Sequence, residues 1–406
     1  MHQHKHQRNY DHRRPVHSRR NFLSSLVSTA FLAPCVLGQE RPQTPSETAE
    51  LYRKISEQYE SDGLTPFKGI TTNGEVLRGL FEIKPTGVST EPVRNAAERF
   101  IATLAPVQLA RTMYPVDDRP TGSLFCGADR GAAQRSIRID AGIAQRQRFE
   151  LTRNIMRLNE TLAELAGDHD FLGEWLYFIQ IYGKPSATEP WGWKLEGHHA
   201  IVNCFVLGDQ VVMTPFFVGS EPVRATSGKY KGIEILQQEQ NDGLRLLNSF
   251  SPEQRKQAIL NFSKTGNNNL TEAFKDNVVI DYAGLRTTDL AAPVRQSFRD
   301  LIHLYVSNMD EGHKRVKMDE VDRHLDNTWL AWIGGAQPDS TFYYRVHSPV
   351  ILIEFDHQRP ANLSGFADDP RKPTQQHIHC VVRTPNGNDY GKDLLRQHYL
   401  AHSHSG

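Results

Sequence analysis

The chain has 406 residues, with 47 Lys and Arg side chains balanced by 47 Asp and Glu side chains. A formal net charge of zero argues against a nucleic-acid partner, because domains that bind nucleic acids carry a marked excess of positive charge. The hydrophobic content of 38% is ordinary for a soluble globular protein, and the length allows one large domain or two ordinary ones.

The N-terminus has the pattern of an export signal. Ser18-Arg19-Arg20-Asn21-Phe22-Leu23 leads into an apolar run that ends at Leu37. A basic segment followed by a short apolar segment and small residues forms a secretory signal peptide, and paired arginines are the address read by the twin-arginine export machinery. The run is shorter than the ~20 residues that cross a bilayer, so we expect no transmembrane segment. We expect residues 1–38 to be removed and the mature protein to work in the periplasm or outside the cell.

Hydrophobic periodicity separates helical segments from strands along the rest of the chain. Residues 39–48 lack apolar side chains and are typical of a linker. Apolar residues at helical spacing predict helices over the segments 47–59, 92–113 with a kink at Pro106, 145–165, 232–262, 293–318 and 393–402. Alternating and β-branched patterns predict strands over the segments 175–182, 191–207, 210–218, 328–333, 341–347, 350–355 and 376–383.

These elements predict an α+β fold. The late strands are joined by connections too short for helical crossovers, so the sheet should be mostly antiparallel. The segments 232–262 and 293–318 then form a helical block inserted between two halves of one sheet, while other helices precede the sheet. Gly208-Asp209 is placed as a hairpin turn inside the first half.

Histidines on the predicted strands suggest a metal site. His377 and His379 alternate on the last strand, so both rings should lie on one face of the sheet. His198 and His199 follow Gly197 on a strand of the first half, where only one of them can join the other two unless a bulge intervenes. His357 is a possible further ligand. The competing interpretation is that these histidines are packed and hydrogen-bonded without a metal.

Charged and polar residues near the histidines are candidates for catalysis and substrate binding. Glu196 or Glu354 would act as general base, and Arg345 or Arg383 would neutralise an anionic substrate. A Pro-, Asn- and Gly-rich loop after the last strand would present Asn386, Asn388 and Asp389, unless it is a plain connection with solvated charges. Trp191 and Trp193 could line a pocket or could be ordinary sheet packing.

Several blocks of the sequence resemble a known family. They include Thr188-Glu189-Pro190-Trp191-Gly192-Trp193-Lys194-Leu195-Glu196-Gly197-His198-His199 and Phe342-Tyr343-Tyr344-Arg345-Val346-His347-Ser348-Pro349. The blocks Gly219-Ser220-Glu221-Pro222, Ile353-Glu354-Phe355-Asp356-His357 and His377-Ile378-His379 belong to the same set. Together they resemble the domain of unknown function 3500 family. The resemblance implies one domain over residues 49–402 and no particular reaction.

Three functions are compatible with these features. The first is an exported metal-dependent enzyme, a hydrolase in which His198 or His199 joins His377 and His379 in holding zinc with one coordination position open. The second fills the same ligands with iron or copper for redox chemistry. The third is a non-catalytic protein that binds a sugar or peptide. The substrate, whether a small molecule or a polymer, is not indicated by the sequence.

Overall fold

The structure, a computed structural model, describes residues 66–117, 146–272 and 275–402. The expected signal peptide, the linker 39–48 and the helix expected over 47–59 lie outside these ranges. Eight α-helices lie in the described part of the chain: α1 Glu91–Ile101, α2 Pro106–Leu109, α3 Arg146–Ala166, α4 Gln237–Asn248, α5 Pro252–Ala258, α6 Ala292–Val306, α7 Glu311–Arg323 and α8 Lys392–Ala401.

The described residues also form twelve strands of a single sheet. They are β1 Met113–Tyr114, β2 Tyr177–Tyr182, β3 Trp191–Gly197, β4 Ala200–Leu207, β5 Gln210–Val212, β6 Phe216–Ser220, β7 Ile259–Asn261, β8 Leu285–Arg286, β9 Trp329–Gly334, β10 Phe342–His347, β11 Leu352–His357 and β12 Ile378–Arg383. Their order is β1-β2-β3-β4-β6-β12-β11-β10-β9-β7, with β5 beside β4 and β8 beside β9. Only the outer pairs β1–β2 and β7–β9 are parallel among these strands. The predicted α+β fold with a mostly antiparallel sheet is confirmed.

The pairing of β6 with β12 joins two halves of the sheet that are far apart in sequence. Strands β2 to β6 form one half and β9 to β12 form the other, and helices α4 to α7 lie between them in the chain. The predicted helical insertion is therefore confirmed. This pairing positions the site, because it sets Gly219 of β6 directly opposite His379 of β12.

Local sequence explains where the inserted helices begin. The Ser251 hydroxyl accepts a hydrogen bond from the Gln254 N–H and forms a capping box at the start of α5. Asp310 caps α7, where its carboxylate accepts from the N–H groups of Gly312 and His313. The helical segment predicted over 293–318 contains two helices, α6 and α7, because the Asp310 cap starts the second one.

Two other predicted boundaries need correction. The strand predicted over 191–207 is two strands, β3 and β4, which a tight turn at His198 and His199 separates. The helical segment predicted over 232–262 contains two helices, α4 and α5, and ends at residue 258, where β7 follows. The predicted Gly208-Asp209 hairpin turn is present between β4 and β5, and the expected break at Pro106 separates α1 from α2.

The two faces of the sheet differ in chemistry. Directly opposite residues on neighbouring strands point to the same face, so the register defines each face. One face carries Trp193, Val218 and Phe355 and packs in the main hydrophobic core with side chains of α3, α4 and α6. The other face carries Glu196, His379, Glu354 and Arg345, all of which except His379 are at most 5% exposed. The candidate site lies on this polar face. No described helix is long and apolar enough to cross a membrane.

Candidate metal centre

His199 lies at the turn between β3 and β4. Its φ angle is +65°, in the left-handed region, where glycine or asparagine is the usual choice for a hairpin turn. Its carbonyl oxygen accepts a hydrogen bond of 2.9 Å from the Gly219 N–H, which fixes the turn against β6. Few residues with a side chain adopt this conformation, and such positions cluster at functional sites.

His377 and His379 approach His199 from β12. His377 lies one residue before the strand and His379 lies within it. The Nε2 atom of His377 is 3.3 Å from His199 Nε2 and 3.0 Å from His379 Nε2. One ligand atom from each of the three imidazoles lies within 4.8 Å of the others. We refer to His199, His377 and His379 as the histidine triad.

The triad has the spacing of a metal site. Three nitrogens bound at about 2.0–2.1 Å to one tetrahedral zinc ion are about 3.3 Å apart, close to the two separations seen here. Within the described residues the triad is the group of His, Cys, Asp and Glu side chains that could hold a metal ion.

The surroundings favour neutral imidazoles, the form that binds metals. Burial lowers the pKa of His199 well below its usual value, and the neighbouring His198, His379 and His377 rings lower it further. Burial, followed by His377 and His198, likewise lowers the pKa of His379. Both rings are therefore uncharged at neutral pH and keep a nitrogen lone pair for a cation.

A backbone carbonyl fixes the orientation of His377. Its Nδ1–H donates a 2.7 Å hydrogen bond to the Arg359 carbonyl oxygen, which leaves the Nε2 lone pair facing the triad. Such a bond to the second nitrogen is typical of histidines that bind metals. The segment after Arg359 is held by Glu221, whose carboxylate accepts from the N–H groups of Ala361, Asn362 and Leu363. Glu221 Oε1 also lies 4.0 Å from His377 Nδ1 and adds negative charge behind the triad.

The family model described as "Protein of unknown function (DUF3500)" matches residues 140–392. This range covers more than half of the chain and contains the whole triad. The chain belongs to this family. The resemblance drawn from the sequence is confirmed. No curated protein and no solved structure matches the chain.

His198 lies next to the triad in this DUF3500 domain but is held in a different way. Its Nδ1 is 2.7 Å from Asn159 Oδ1, and its ring centroid is 3.9 Å from that of His199. The Asn159 amide nitrogen donates to the Gly173 carbonyl, which assigns Oδ1 as the acceptor. Burial lowers the pKa of His198 to about 4. Of the two adjacent histidines, His199 is therefore the member of the triad and His198 packs against it.

His357 is placed as a buried structural histidine. Its Nδ1 accepts a 2.9 Å hydrogen bond from the Phe342 N–H, and its Nε2 is 2.8 Å from Gln240 Oε1. In the register of β11 and β12, His357 pairs with Ile378. It therefore lies on the apolar face of the sheet, whereas His379 lies on the polar face. The structure thus does not bring this predicted ligand to the triad, because adjacent residues of a strand point to opposite faces.

Glu354, one candidate general base, is fully engaged elsewhere. Its two oxygens accept hydrogen bonds from the N–H groups of Leu270 and Thr271, the Thr271 hydroxyl and the Tyr343 hydroxyl. Two residues along the strand, Asp356 accepts from the Asn268 N–H and pairs with Lys264 at 2.8 Å. Both carboxylates fasten the 264–272 segment to the polar face, so Glu354 has no oxygen available for proton transfer.

Glu196 has fewer partners. It pairs with Lys194 on the same face of β3 at 2.6 Å, and both are 5% exposed. Its register partner on β4 is Ile201, whose own partner on β6 is Phe217. Phe217 in turn lies edge-on to His379, with ring centroids 5.0 Å apart. Glu196 is thus on the same face as the triad, beyond a small apolar patch.

The loop after β12 is stabilised by its own polar residues. The Arg383 Nε donates to Asp389 at 2.8 Å, and its Nη2 donates to Asp276 at 2.8 Å. Asn386 accepts from the Leu77 N–H and donates to the Pro349 carbonyl. Asn388 is 3% exposed and accepts from the Leu394 N–H. Arg383, Asn386, Asn388 and Asp389 are therefore structural here and are not brought to the triad.

Trp191 and Trp193 lie in the hydrophobic core. They are 0% and 1% exposed, because they alternate with Leu195 on the apolar face of β3. They line no cavity that contains a triad histidine. Trp193 does border the smaller of two cavities in the described part of the chain, which have volumes of about 60 and 40 Å³, and its role in substrate binding stays a prediction.

Sequence reasoning did not identify Gly219, Glu221, Asn159 or the Arg359 carbonyl as parts of the site. Gly219 and Glu221 belong to a block that resembles the family, but that resemblance gives no spatial neighbour. The one sequence feature that could have indicated Gly219 is a glycine in a strand interior, which often marks a close approach of other groups.

Proposed function

We propose that the protein is an exported metal-dependent enzyme in which the histidine triad holds one divalent transition metal, with zinc favoured. The observation that carries this proposal is the convergence of three Nε2 atoms on the polar face, from a strained turn and from β12. Packed structural histidines satisfy their ring nitrogens with separate partners, as His357 does. In the triad, by contrast, the ring nitrogens of His199 and His379 lie 3.3 Å and 3.0 Å from that of His377, in the arrangement that a shared cation requires.

A catalytic site is favoured over a structural one. Structural zinc sites have four protein ligands, whereas catalytic sites have three and keep one position open. Within the described residues no fourth His, Cys, Asp or Glu side chain joins the triad. His199 and His377 are buried while His379 is partly exposed, so the open side faces toward solvent at His379.

The proposed reaction is hydrolysis. Bound zinc supplies a water molecule whose pKa falls to about 7. Burial lowers the pKa of His199 and His379 and so keeps these two imidazoles neutral, and the Arg359 carbonyl orients His377. Glu354 does not serve as proton acceptor, since its oxygens are occupied, and Glu196, the other predicted base, is paired with Lys194 beyond the apolar patch. The absence of a carboxylate from the triad, among the described residues, favours zinc over non-haem iron.

Elemental analysis of protein purified from its native compartment tests the proposal. We expect about one zinc ion per chain. His377→Ala should lose the metal, whereas His303→Gln, which removes a histidine of α6, should keep it. Stoichiometric iron or copper would instead support a redox enzyme with the same ligands. Protein that contains no metal and binds none in titration would overturn both.

A further inference from the structure

A second cluster on the polar face contains a buried arginine with no described acidic partner. Arg345 of β10 is 5% exposed, and its Nη2 donates to the Asp281 carbonyl at 3.2 Å. Its Nε is buried without a hydrogen-bond partner, and no described carboxylate forms an ion pair with it. Buried charges are almost always paired, because the loss of hydration is costly.

The acidic residue directly opposite Arg345 in the sheet does not serve as that partner. Glu354 lies directly opposite Arg345 in the pairing of β10 with β11. However, its oxygens already accept from Leu270, Thr271 and Tyr343, and they form no ion pair with the guanidinium. The charge of Glu354 lowers the electrostatic cost of burying Arg345 but leaves the Nε–H unsatisfied.

His347 adds a second unsatisfied polar atom on the same face. It lies two residues after Arg345 on β10, is 1% exposed, and its Nδ1 is buried without a partner. Burial, followed by the charge of Arg345, lowers its pKa to about 3, so the ring is neutral at pH 7 and can present Nδ1–H as a donor. Its ring contacts Tyr282 at 4.6 Å between centroids, and Tyr282 stacks on Trp329 at 4.2 Å.

We propose that Arg345 and His347 form a buried binding site for a small monovalent anion, separate from the triad. The guanidinium Nε–H and the imidazole Nδ1–H supply two donors beside a positive charge, which suits the two oxygens of a carboxylate. A chloride ion satisfies the same charge and donors. The aromatic pair of Tyr282 and Trp329 closes one side of the site. The proposal is independent of the metal.

Thermal unfolding of the purified protein at constant ionic strength tests this site. The reference buffer contains only a bulky sulfonate anion, which is too large for a buried site. In the test buffers, formate or chloride replaces this anion. We expect the Tm of the wild type to rise saturably by roughly 2–4 °C, because a ligand that binds only the folded state stabilises it. Arg345→Gln should abolish the response. Arg286→Gln is the matched control, since Arg286 lies over Trp329 at 5.0 Å and is a half-buried arginine of the same region whose guanidinium already donates to Asn327.

Two further variants keep the test decisive if Arg345→Gln does not fold. His347→Phe retains the aromatic contact but removes the donor, and Arg345→Lys retains the charge but removes the planar fork, so each should raise the half-saturating concentration by roughly fivefold or more. A response to formate alone identifies a carboxylate site, and a response to chloride identifies a halide site. No saturable response in the wild type, or equal responses in the wild type and the Arg345 variants, would overturn the proposal. Metal-stripped protein should give the same response, which separates this test from that of the triad.

Discussion

Gly219 of β6 lies directly opposite His379 of β12, and its missing side chain leaves room for two imidazoles of the triad. A Cβ atom at this position would lie 2.9 Å from His379 Cδ2 and 3.2 Å from His199 Cδ2. It would also lie 2.6 Å from the Ile378 carbonyl oxygen. The smallest possible substitution is therefore enough to displace the proposed ligands.

We expect Gly219→Ala to weaken metal binding by roughly tenfold or more, because ligand geometry must hold within a few tenths of an ångström. Metal titration of the stripped protein measures the effect. Gly365→Ala is the matched control, since a Cβ there meets nothing within 4 Å. Equal affinities in the two variants would show that the imidazoles do not bind metal in the arrangement seen here.

The turn at His198 and His199 allows the two adjacent histidines to be distinguished. Asparagine tolerates the left-handed conformation of His199, so His199→Asn should preserve the turn while removing Nε2. We expect this variant to lose stoichiometric metal, while His198→Asn retains it. Elemental analysis of the two variants purified in parallel measures the difference. Loss of metal from the His198 variant alone would contradict the assignment.

The sequence was sufficient to predict one side of the site but not the other. His377 and His379 could be placed on a shared face because the side-chain period of a strand is two, which is a local rule. The turn at His199 could not be predicted, because no Asn-Gly or Asp-Gly pair interrupts the apolar pattern around it. The turn is held by the pairing of β4 with β6 and by the hydrogen bond from the Gly219 N–H to the His199 carbonyl. These are tertiary contacts, which a local sequence pattern does not predict.

The role of Glu354 could not be predicted for a related reason. A carboxylate in a strand that ends in Asp356 and His357 has the composition of a catalytic site. Its function as an anchor depends on the N–H groups of Leu270 and Thr271, which are more than 80 residues away in sequence. The helical insertion was easier to predict, because amphipathic periodicity persists over long segments.

Replacing Glu354 should affect stability and not metal content. In Glu354→Gln, an amide NH₂ replaces an oxygen that accepts from Leu270 or Thr271, so one buried donor loses its acceptor and the charge is removed. We expect the free energy of unfolding to fall by about 2–4 kcal/mol, measured by urea denaturation. Glu253→Gln on the exposed surface of α5 is the control and should change little. If the variant lost metal without losing stability, Glu354 would have to act at the metal site and not as an anchor.

The predicted export signal lies outside the described part of the chain. Arg19 and Arg20 directly precede Asn21-Phe22-Leu23, whereas the pair Arg13-Arg14 is followed by proline and valine. We expect Arg19-Arg20→Lys-Lys to retain the protein in the cytoplasm, because the twin-arginine machinery requires the paired arginines. Arg13-Arg14→Lys-Lys should be exported normally. Immunoblots of fractionated cells measure the result, and equal export of the two variants would contradict this route.

Acid should destabilise the protein partly through His357. Burial, followed by the charge of Lys264, lowers the pKa of this imidazole from 6.5 to about 3, and the neutral ring accepts a hydrogen bond from the Phe342 N–H inside the core. Between these two values the unfolded chain binds a proton that the folded chain does not. The unfolding free energy is thus unaffected by this group above about pH 6.5 and falls as the pH decreases toward 3.

The variant His357→Asn separates this contribution from that of other groups. An asparagine Oδ1 can accept from the Phe342 N–H but takes up no proton, so the acid loss should become shallower by up to about 1.4 kcal/mol per pH unit. Urea denaturation at pH 7 and pH 5 measures this, and we expect a difference of about 2 kcal/mol in the pH dependence between the two proteins. Parallel losses in the wild type and the variant would show that His357 takes up its proton in the folded chain as readily as in the unfolded chain, which contradicts the lowered pKa.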